Sequence, residues 1–205
     1  MGLVMSREAL AGVLSLISGY LIGAVPFGYI LYRMRGGLDI RHVGSGNIGA
    51  SNVMRLGGVS LGVATFLLDA GKGAGAVALA RWSTADPTWE AAAALVALIG
   101  HCFPVYLRFR GGKGIATGCG AYGFIAPVPM GLSLLVFSGM LLGTRMISIA
   151  SLTASLALPL FVFWRQPEAA LLISAGLAAL IAILRHHDNI RRLLSGDESK
   201  IRLER

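Results

Sequence analysis

Seven apolar stretches, most of them close to the length of a bilayer crossing, constrain the fold of this chain more than any other feature. A helix needs roughly 20 apolar residues to cross the hydrocarbon core of a bilayer. The sequence therefore predicts an all-α, polytopic membrane protein, with one integral-membrane domain covering residues 1–205. The stretches run over residues 9–32, 58–80, 90–107, 114–126, 128–143, 147–164 and 167–184.

The composition agrees with a membrane protein and argues against a nucleic-acid-binding one. Only 14% of the residues are charged, against about 25% in soluble domains, and the mean hydropathy is +0.71. The net charge of +8 comes from basic residues that border the apolar stretches, as a topology signal would. We therefore expect no nucleic-acid partner. Cys102 and Cys119 have no metal-ligand spacing and are expected to be packing residues.

The number of crossings is set by the fourth stretch, which is short and rich in glycine. Two prolines follow it, Pro127 and Pro129, so six and seven crossings are both compatible with the pattern. With seven crossings and the N-terminus outside, 14 of the 18 lysines and arginines fall on the inner side, as the positive-inside rule requires. We therefore predict seven transmembrane helices, with the C-terminus in the cytoplasm.

A glycine-rich polar cluster lies between the first two apolar stretches. Its glycines let backbone N–H groups converge on one point, and a helix that begins near Gly49 would direct its positive end at an anion. Arg55, one turn further on, adds a fixed charge. The cluster therefore predicts a phosphate site, with these candidate residues: Gly44, Ser45, Gly46, Asn47, Gly49, Ser51, Asn52 and Arg55.

The same cluster also matches the dinucleotide-binding pattern G-x-G-x-x-G, with Asp69 20 residues beyond Gly49. That pattern requires a strand before it and a βαβ unit around it. Here the flanking segments are membrane helices, and Asp69 lies inside an apolar run. We therefore reject a dinucleotide site.

A second polar cluster follows the third apolar stretch, in residues 108–117. Glycines beside Lys113 suit a close approach of backbone to phosphate, with the lysine as a point charge. The alternative is a basic anchor that faces anionic lipid, but an anchor needs no glycines. We therefore favour ligand binding, with these candidate residues: Gly111, Gly112, Lys113, Gly114 and Thr117.

A third polar cluster, in residues 185–190, emerges from the last apolar stretch. His186 and Asn189 could orient a polar substrate, and Arg185 could hold an anion. The alternative is a helix C-terminus whose cations complement the helix dipole, and the sequence leaves both open. Ser148 is a weaker candidate for a contact with a substrate hydroxyl, because it could equally bond its own helix.

Three further residues carry polar groups into the apolar stretches. Asp69 and Lys72 are three residues apart, so they share a helix face and are expected to pair. His101 is expected to bond a backbone carbonyl freed by Pro104.

The motifs that are absent narrow the chemistry. The sequence holds no H-E-x-x-H motif, no cluster of carboxylates for a divalent metal and no G-x-S-x-G nucleophile elbow. We therefore expect no metal and no cofactor. Two anion sites and a third polar cluster on one membrane face suggest a protein that holds two anionic substrates together.

At these three clusters, 44–55, 100–117 and 185–196, the sequence resembles the bacterial acyl-phosphate-dependent glycerol-3-phosphate acyltransferases. The resemblance implies a multi-pass enzyme of the bacterial inner membrane, with seven helices and an active site that faces the cytoplasm. It would transfer a fatty acyl group from acyl phosphate to the 1-hydroxyl of glycerol 3-phosphate. The products would be lysophosphatidic acid and phosphate, in the first step of phospholipid synthesis.

The resemblance also implies roles for the candidate residues. The glycine backbones would hold phosphate, with Asn47 and Asn52 supporting the first loop, and the protein would work as a monomer among membrane lipids. Five residues would bind glycerol phosphate or its reacting region: Ser45, Arg55, Lys113, His186 and Asn189.

Two alternatives stay open at this point. The family is thought to use the acceptor's own phosphate to take the hydroxyl proton, but His186 has a suitable intrinsic pKa for a general base. A membrane transporter of phosphorylated solutes would also carry intramembrane charges and broken helices. Against the transporter, the chain shows no obvious inverted repeat.

Overall fold

The structure, a computed structural model, describes residues 6–36 and 38–200. Within these residues it is helical throughout and contains no strand, as the sequence predicts. Two 3₁₀ turns, Ile40–His42 and Val105–Leu107, lie between the longer helices. The helices are α1 Arg7–Ala24, α2 Phe27–Met34, α3 Ala50–Gly57, α4 Val59–Thr84, α5 Pro87–Cys102, α6 Ile115–Ile125, α7 Pro127–Thr144, α8 Ile147–Arg165, α9 Ala169–Arg185 and α10 His187–Ser195.

The first membrane segment is one long helix interrupted at a proline. Helices α1 and α2 together cover Arg7–Met34, a 28-residue apolar segment, and the break falls at Val25 and Pro26. Proline has no backbone N–H, and its ring clashes with the preceding turn, so it interrupts a helix at this place. The break leaves backbone carbonyls in the membrane segment that other groups must satisfy.

Five helical segments of the described chain are long and apolar enough to cross a bilayer, and a sixth is obtained if α9 and α10, bent by 57°, count as one. The fourth predicted crossing is only the 11-residue helix α6, about 16 Å long. The membrane character is therefore supported, while the count of seven and the orientation stay predictions. Of the basic residues behind the orientation, Arg202 and Arg205 lie outside the described residues.

Glycines allow the helices of the bundle to pack closely. A β-carbon at Gly23 of α1 would collide with the backbone of α5 at Ala97, and one at Gly120 of α6 would collide with the backbone of α4 at Ala70. Larger residues at these positions would push the helices apart. The contacts explain why small residues are enriched at such interfaces in membranes.

The exterior is apolar, and its tryptophans mark one end of the bundle. Trp82 near the end of α4 is 90% exposed and Trp164 near the end of α8 is 70% exposed. Exposed tryptophans at helix ends are typical of the membrane–water interface. The three polar clusters lie at the opposite end, where α4 begins and α5 and α9 end. All candidate site residues therefore belong to one end of the bundle.

Candidate active site

The loop before α3 is built by two asparagines. The Asn52 amide oxygen accepts a hydrogen bond from the Ser45 N–H (3.0 Å), while its nitrogen donates to the carbonyls of Val43 and Asn47 (3.2 and 2.9 Å). The Asn47 side chain accepts from the Gly49 N–H at 2.8 Å. Both amides are thus used by the loop itself. Asn52 uses both ends of its amide in the loop, whereas the Asn47 amide nitrogen makes no hydrogen bond to a described residue.

Helix α3 begins where the sequence predicts, with Gly49 as its N-cap and Ala50 as its first residue. The N–H groups of Ala50 and Ser51 find no acceptor in the described chain. Ser45 and Arg55 are exposed beside them, and Arg55 makes no hydrogen bond or ion pair to any described residue. Free N–H groups, the helix dipole and an unpaired guanidinium form a site suited to an anion.

The loop that carries Lys113 is held by contacts that the sequence did not predict. The Arg185 guanidinium donates to the carbonyls of Gly112 (2.9 Å) and Gly111 (2.8 Å). The Gly112 N–H donates to the His101 carbonyl at 3.0 Å. Arg185 therefore fixes this loop, and the anion-binding role that the sequence suggested for it stays a prediction. The Gly112 N–H is likewise occupied and is not available to a phosphate.

The free backbone donors lie one step further along, at the start of α6. Gly114 caps this helix in the left-handed conformation (φ +80°), which glycine adopts without strain. The N–H groups from Gly114 to Thr117 find no acceptor among the described residues. The Thr117 hydroxyl is fully buried and is likewise without a partner there. This helix N-terminus is therefore a second anion site.

Lys113 and two residues of the C-terminal segment form a connected polar network. The Lys113 ammonium donates to the amide oxygen of Asn189. The Asn189 amide nitrogen donates to Glu198 Oε1 at 2.6 Å, and Arg192 donates to Glu198 Oε2 at 2.8 Å. The Glu198 side chain is only 7% exposed. The structure thus brings together two predicted residues, Lys113 and Asn189, and adds Glu198.

The burial of this network shifts two pKa values. Burial lowers the pKa of Lys113 to about 8, an effect that nearby Arg192 reinforces and Glu198 opposes. Burial would raise the pKa of Glu198, but the hydrogen bonds that it accepts outweigh burial and lower it. The buried Ser148 hydroxyl faces the same carboxylate, although it makes no hydrogen bond of regular geometry to a described residue. Glu198 is therefore ionised, and the pKa of Lys113, about 8, lies well below that of an ordinary lysine.

His186 lies buried at the junction of α9 and α10. Its Nδ1 is 2.6 Å from the carbonyl oxygen of Ala182, which only accepts hydrogen bonds, so Nδ1 carries the proton. In the neutral ring, Nε2 is therefore left as an acceptor. The neighbouring His187 is exposed, as expected for adjacent residues on different helix faces.

The two anion sites are linked through an apolar cluster. Ile48 and Val53, on either side of the start of α3, pack with Leu107 in the turn before the second loop. No hydrogen bond or ion pair of the described chain joins Ser45 or Arg55 to the Lys113 network. The two anion sites, at the N-termini of α3 and α6, are thus both anchored to this apolar cluster.

An apolar groove leads from the second anion site into the bundle. It lies between α6, α7, α8 and α9, with a cavity volume of about 70 Å³ inside an empty space of about 530 Å³ that includes open solvent. Gly114 and Ala182 line it near the polar network, and Tyr122 and Met130 line it farther along. Tyr122 is fully buried, and its hydroxyl is hydrogen-bonded to Ser174 (2.7 Å). The groove has the chemistry to take an alkyl chain whose polar end lies near Lys113.

Outside the three clusters, the polar groups within the apolar stretches agree only partly with the sequence predictions. The Asp69–Lys72 pair is confirmed, with Nζ 2.8 Å from Oδ1. The prediction for His101 is wrong, because Nδ1 of its ring faces Asp69 at 3.6 Å and bonds no carbonyl among the described residues. Glu198 was missed altogether. Its only signal was its place among the mixed acidic and basic residues that follow Gly196, which does not single it out.

Comparisons with known proteins find the same family from sequence and from fold. A family model described as glycerol-3-phosphate acyltransferase matches residues 13–196. A protein of that name from Syntrophotalea carbinolica is 43% identical over 188 residues, which cover 91% of this chain and 96% of that protein. The fold is similar to crystal structures of PlsY, an integral membrane glycerol 3-phosphate acyltransferase. The glycerol 3-phosphate form has a TM-score of 0.89 and 36% identity over 93% of this chain and 96% of that one. The lysophosphatidic acid form has a TM-score of 0.86 and 35% identity over 93% of this chain and 95% of that one.

Proposed function

This chain belongs to the glycerol-3-phosphate acyltransferase family, and from that premise we propose that it transfers a fatty acyl group from acyl phosphate to the 1-hydroxyl of glycerol 3-phosphate. The chain is an enzyme of the membrane, and its products are lysophosphatidic acid and inorganic phosphate. The donor, the cytoplasmic position of the site in a bacterial inner membrane and action as a monomer are parts of the proposal. One observation carries it: two helix N-termini with free N–H groups lie at the end of the bundle where the apolar groove opens.

Both substrates are anions, and the site offers one helix N-terminus for each phosphate. The start of α3 with Ser45 and Arg55 forms one site, and the start of α6 with Lys113 forms the other. Helix N-termini bind phosphate through free N–H groups and the helix dipole. Lys113 is held by Asn189, so its charge is fixed in place before the substrates arrive. This arrangement brings two mutually repelling anions close to one another.

The acyl chain of the donor lies in the apolar groove, with its carbonyl carbon near Gly114 and Ala182. These two residues line the groove beside the Lys113 network and His186. Burial of each methylene of the chain contributes roughly 0.8 kcal/mol, so the groove supplies affinity that is independent of the phosphates. The reacting carbonyl is thereby held at the boundary between apolar and polar surroundings.

The transfer is a direct displacement on the acyl carbon. The 1-hydroxyl oxygen of glycerol phosphate forms a bond to the carbonyl carbon, and the bond from that carbon to the phosphate oxygen breaks. The electron pair of the broken bond leaves with inorganic phosphate, and the hydroxyl proton passes to the phosphate of the acceptor. Lys113 and the N–H groups of α6 stabilise the negative charge that develops. Since acyl phosphate is already activated, proximity supplies most of the remaining acceleration.

Purified protein tests this proposal directly. Incubation with palmitoyl phosphate and glycerol 3-phosphate should release phosphate and form lysophosphatidic acid in equal amounts. Palmitoyl-coenzyme A in place of palmitoyl phosphate should give no product. Activity with the thioester alone would overturn the choice of donor, and the absence of any phosphate release that depends on the acceptor would overturn acyl transfer and favour the transporter alternative.

A further inference from the structure

Three ionisable side chains lie buried beneath the loop that carries Lys113. Asp69 and Lys72 of α4 are 1% and 5% exposed, and His101 near the end of α5 is 3% exposed. Lys72 lies 2.8 Å from Asp69 Oδ1 and donates to the Val25 carbonyl at 2.7 Å, where the break between α1 and α2 frees an acceptor. Ionisable groups inside a membrane are costly and generally mark function. The Lys72 contacts explain Asp69 as an ion pair but leave His101 unexplained.

The His101 ring stands between Asp69 and the Lys113 loop. Its Nδ1 is 3.6 Å from Asp69 Oδ1, and its Nε2 packs so closely on Gly112 that a β-carbon there would collide with it. The His101 carbonyl also accepts the Gly112 N–H at 3.0 Å. The ring and the backbone carbonyl of His101 therefore both contact Gly112, the residue before Lys113. Any movement of this ring is passed to the loop.

The contact between the carboxylate and the imidazole is incomplete. A separation of 3.6 Å is too long for a hydrogen bond, and the buried His101 Nδ1 makes no hydrogen bond to a described residue, whereas Asp69 Oδ1 has the Lys72 ammonium at 2.8 Å. Leaving a ring nitrogen unpaired in a buried place is unfavourable. Hydrogen bonds of functional sites are often long without substrate and tighten only in the complex.

We propose that Asp69 and His101 are positioning residues, whose contact closes to a hydrogen bond and fixes the Lys113 loop when that loop takes up a substrate phosphate. The proposal rests on the phosphate site at Lys113 described above. Asp69 orients the ring, the ring supports Gly112, and Gly112 sets the direction of Lys113 and of the free N–H groups at the start of α6. The Lys72 ammonium holds the carboxylate in place through the same oxygen, Oδ1, that faces the ring.

Four variants separate positioning from a merely structural role. His101→Leu removes the ring nitrogens, whereas His101→Asn keeps an amide near the place of Nδ1 and should rescue function. Asp69→Asn removes the charge of the carboxylate but leaves Lys72 without its counter-ion. The comparison of the two His101 variants is therefore the safer test. Glu90→Gln is the matched control, because Glu90 is a buried carboxylate paired with Arg81 at the far end of the bundle.

The readout is the split between KM and kcat, together with binding of inorganic phosphate by calorimetry. His101→Leu should lower kcat/KM about tenfold or more, since small displacements of a catalytic group are costly, mainly through a higher KM for one substrate. It should weaken phosphate binding by a similar factor. His101→Asn should stay within about threefold of the wild type, and Glu90→Gln should match it. Wild-type values for His101→Leu would overturn the proposal, as would equal losses in both His101 variants.

A double variant shows whether the effect passes through Lys113. In a Lys113→Ala background, His101→Leu should cause little additional loss, because residues that act through one group are not additive. An undiminished additional loss would contradict positioning of Lys113. Since phosphate binding needs no acyl donor, the binding measurements keep their meaning even if acyl phosphate proves to be the wrong donor.

Discussion

The pH dependence of turnover is the sharpest consequence of the buried Lys113. Its pKa is lowered to about 8 by burial, so the free enzyme loses the ammonium charge as the pH rises through 8. About nine tenths of the molecules carry the charge at pH 7 and about one tenth at pH 9. If only the charged form binds and turns over substrate, kcat/KM should fall about tenfold between these values. A lysine with an ordinary pKa of 10.5 would lose about 3% of its charge over the same range.

The assay follows phosphate release at limiting substrate, because kcat/KM reports the groups of the free enzyme. Phosphate esters have a second pKa near 6, so glycerol 3-phosphate does not change its charge appreciably between pH 7 and pH 9. Hydrolysis of the acyl phosphate without enzyme is measured at each pH and subtracted. Saturating substrate gives a second test: bound anions stabilise the ammonium form, so the fall in kcat should move to higher pH.

The matched control is Lys113→Arg, which keeps a positive charge at every pH in this range. Its absolute activity should be lower, because the guanidinium cannot reproduce the contact with Asn189. Its kcat/KM should nevertheless be flat from pH 7 to pH 9. A flat profile in the wild type, or the same fall in the arginine variant, would refute the assignment of this titration to Lys113.

Three further predictions test the remaining parts of the site. Glu198→Gln removes the negative charge that raises the pKa of Lys113, so the alkaline fall in kcat/KM should move to lower pH. An unchanged midpoint of this fall in a folded variant would contradict the electrostatic link between Glu198 and Lys113. His186→Gln should keep most of the turnover if this residue only orients the substrate, while a loss of about a hundredfold or more in kcat would identify it as the base. Ala154→Phe narrows the groove and should shift the preference toward shorter acyl phosphates in competition assays. Leu156 faces outward, so Leu156→Phe should leave this preference unchanged. The same acyl-chain preference in both variants would place the acyl chain outside the groove.

Much of the fold could be predicted because most apolar stretches make one helix each, while the first is divided at Pro26 into α1 and α2. The break at Pro26 and the start of α3 after Gly49 are local features with local causes, and both are visible in the sequence. The length of α6 was harder to predict. Apolar residues run from 114 to 126, but hydropathy alone does not show whether a run crosses the bilayer or stops within it.

The site could be predicted as a set of polar clusters but not as a set of contacts. Glycines beside a lysine indicated phosphate, yet Gly111 and Gly112 also allow the loop to pack on His101 and Arg185. The contacts with Arg185 join residues that are 73 and 74 positions apart in the chain, and no local pattern reveals them. Glu198 was missed for a different reason: its partners Asn189 and Arg192 are only 9 and 6 positions away, but they come within reach only because the chain turns at Gly196, after α10.

The short helix α6 links the two halves of the chemistry. Helices α6 and α7 meet at Ala126, and α7 is about 27 Å long against about 16 Å for α6. Gly114, Ala116 and Thr117, at the N-terminus of α6, are all buried, so this end of the short helix lies within the protein. Burial strengthens the interactions of an anion bound there with Lys113 and the free N–H groups. The groove begins at the same Gly114, so the carbonyl of an acyl phosphate can reach this anion site while its chain stays within the apolar part of the protein. A water-soluble acceptor then has to approach only the polar end of the donor.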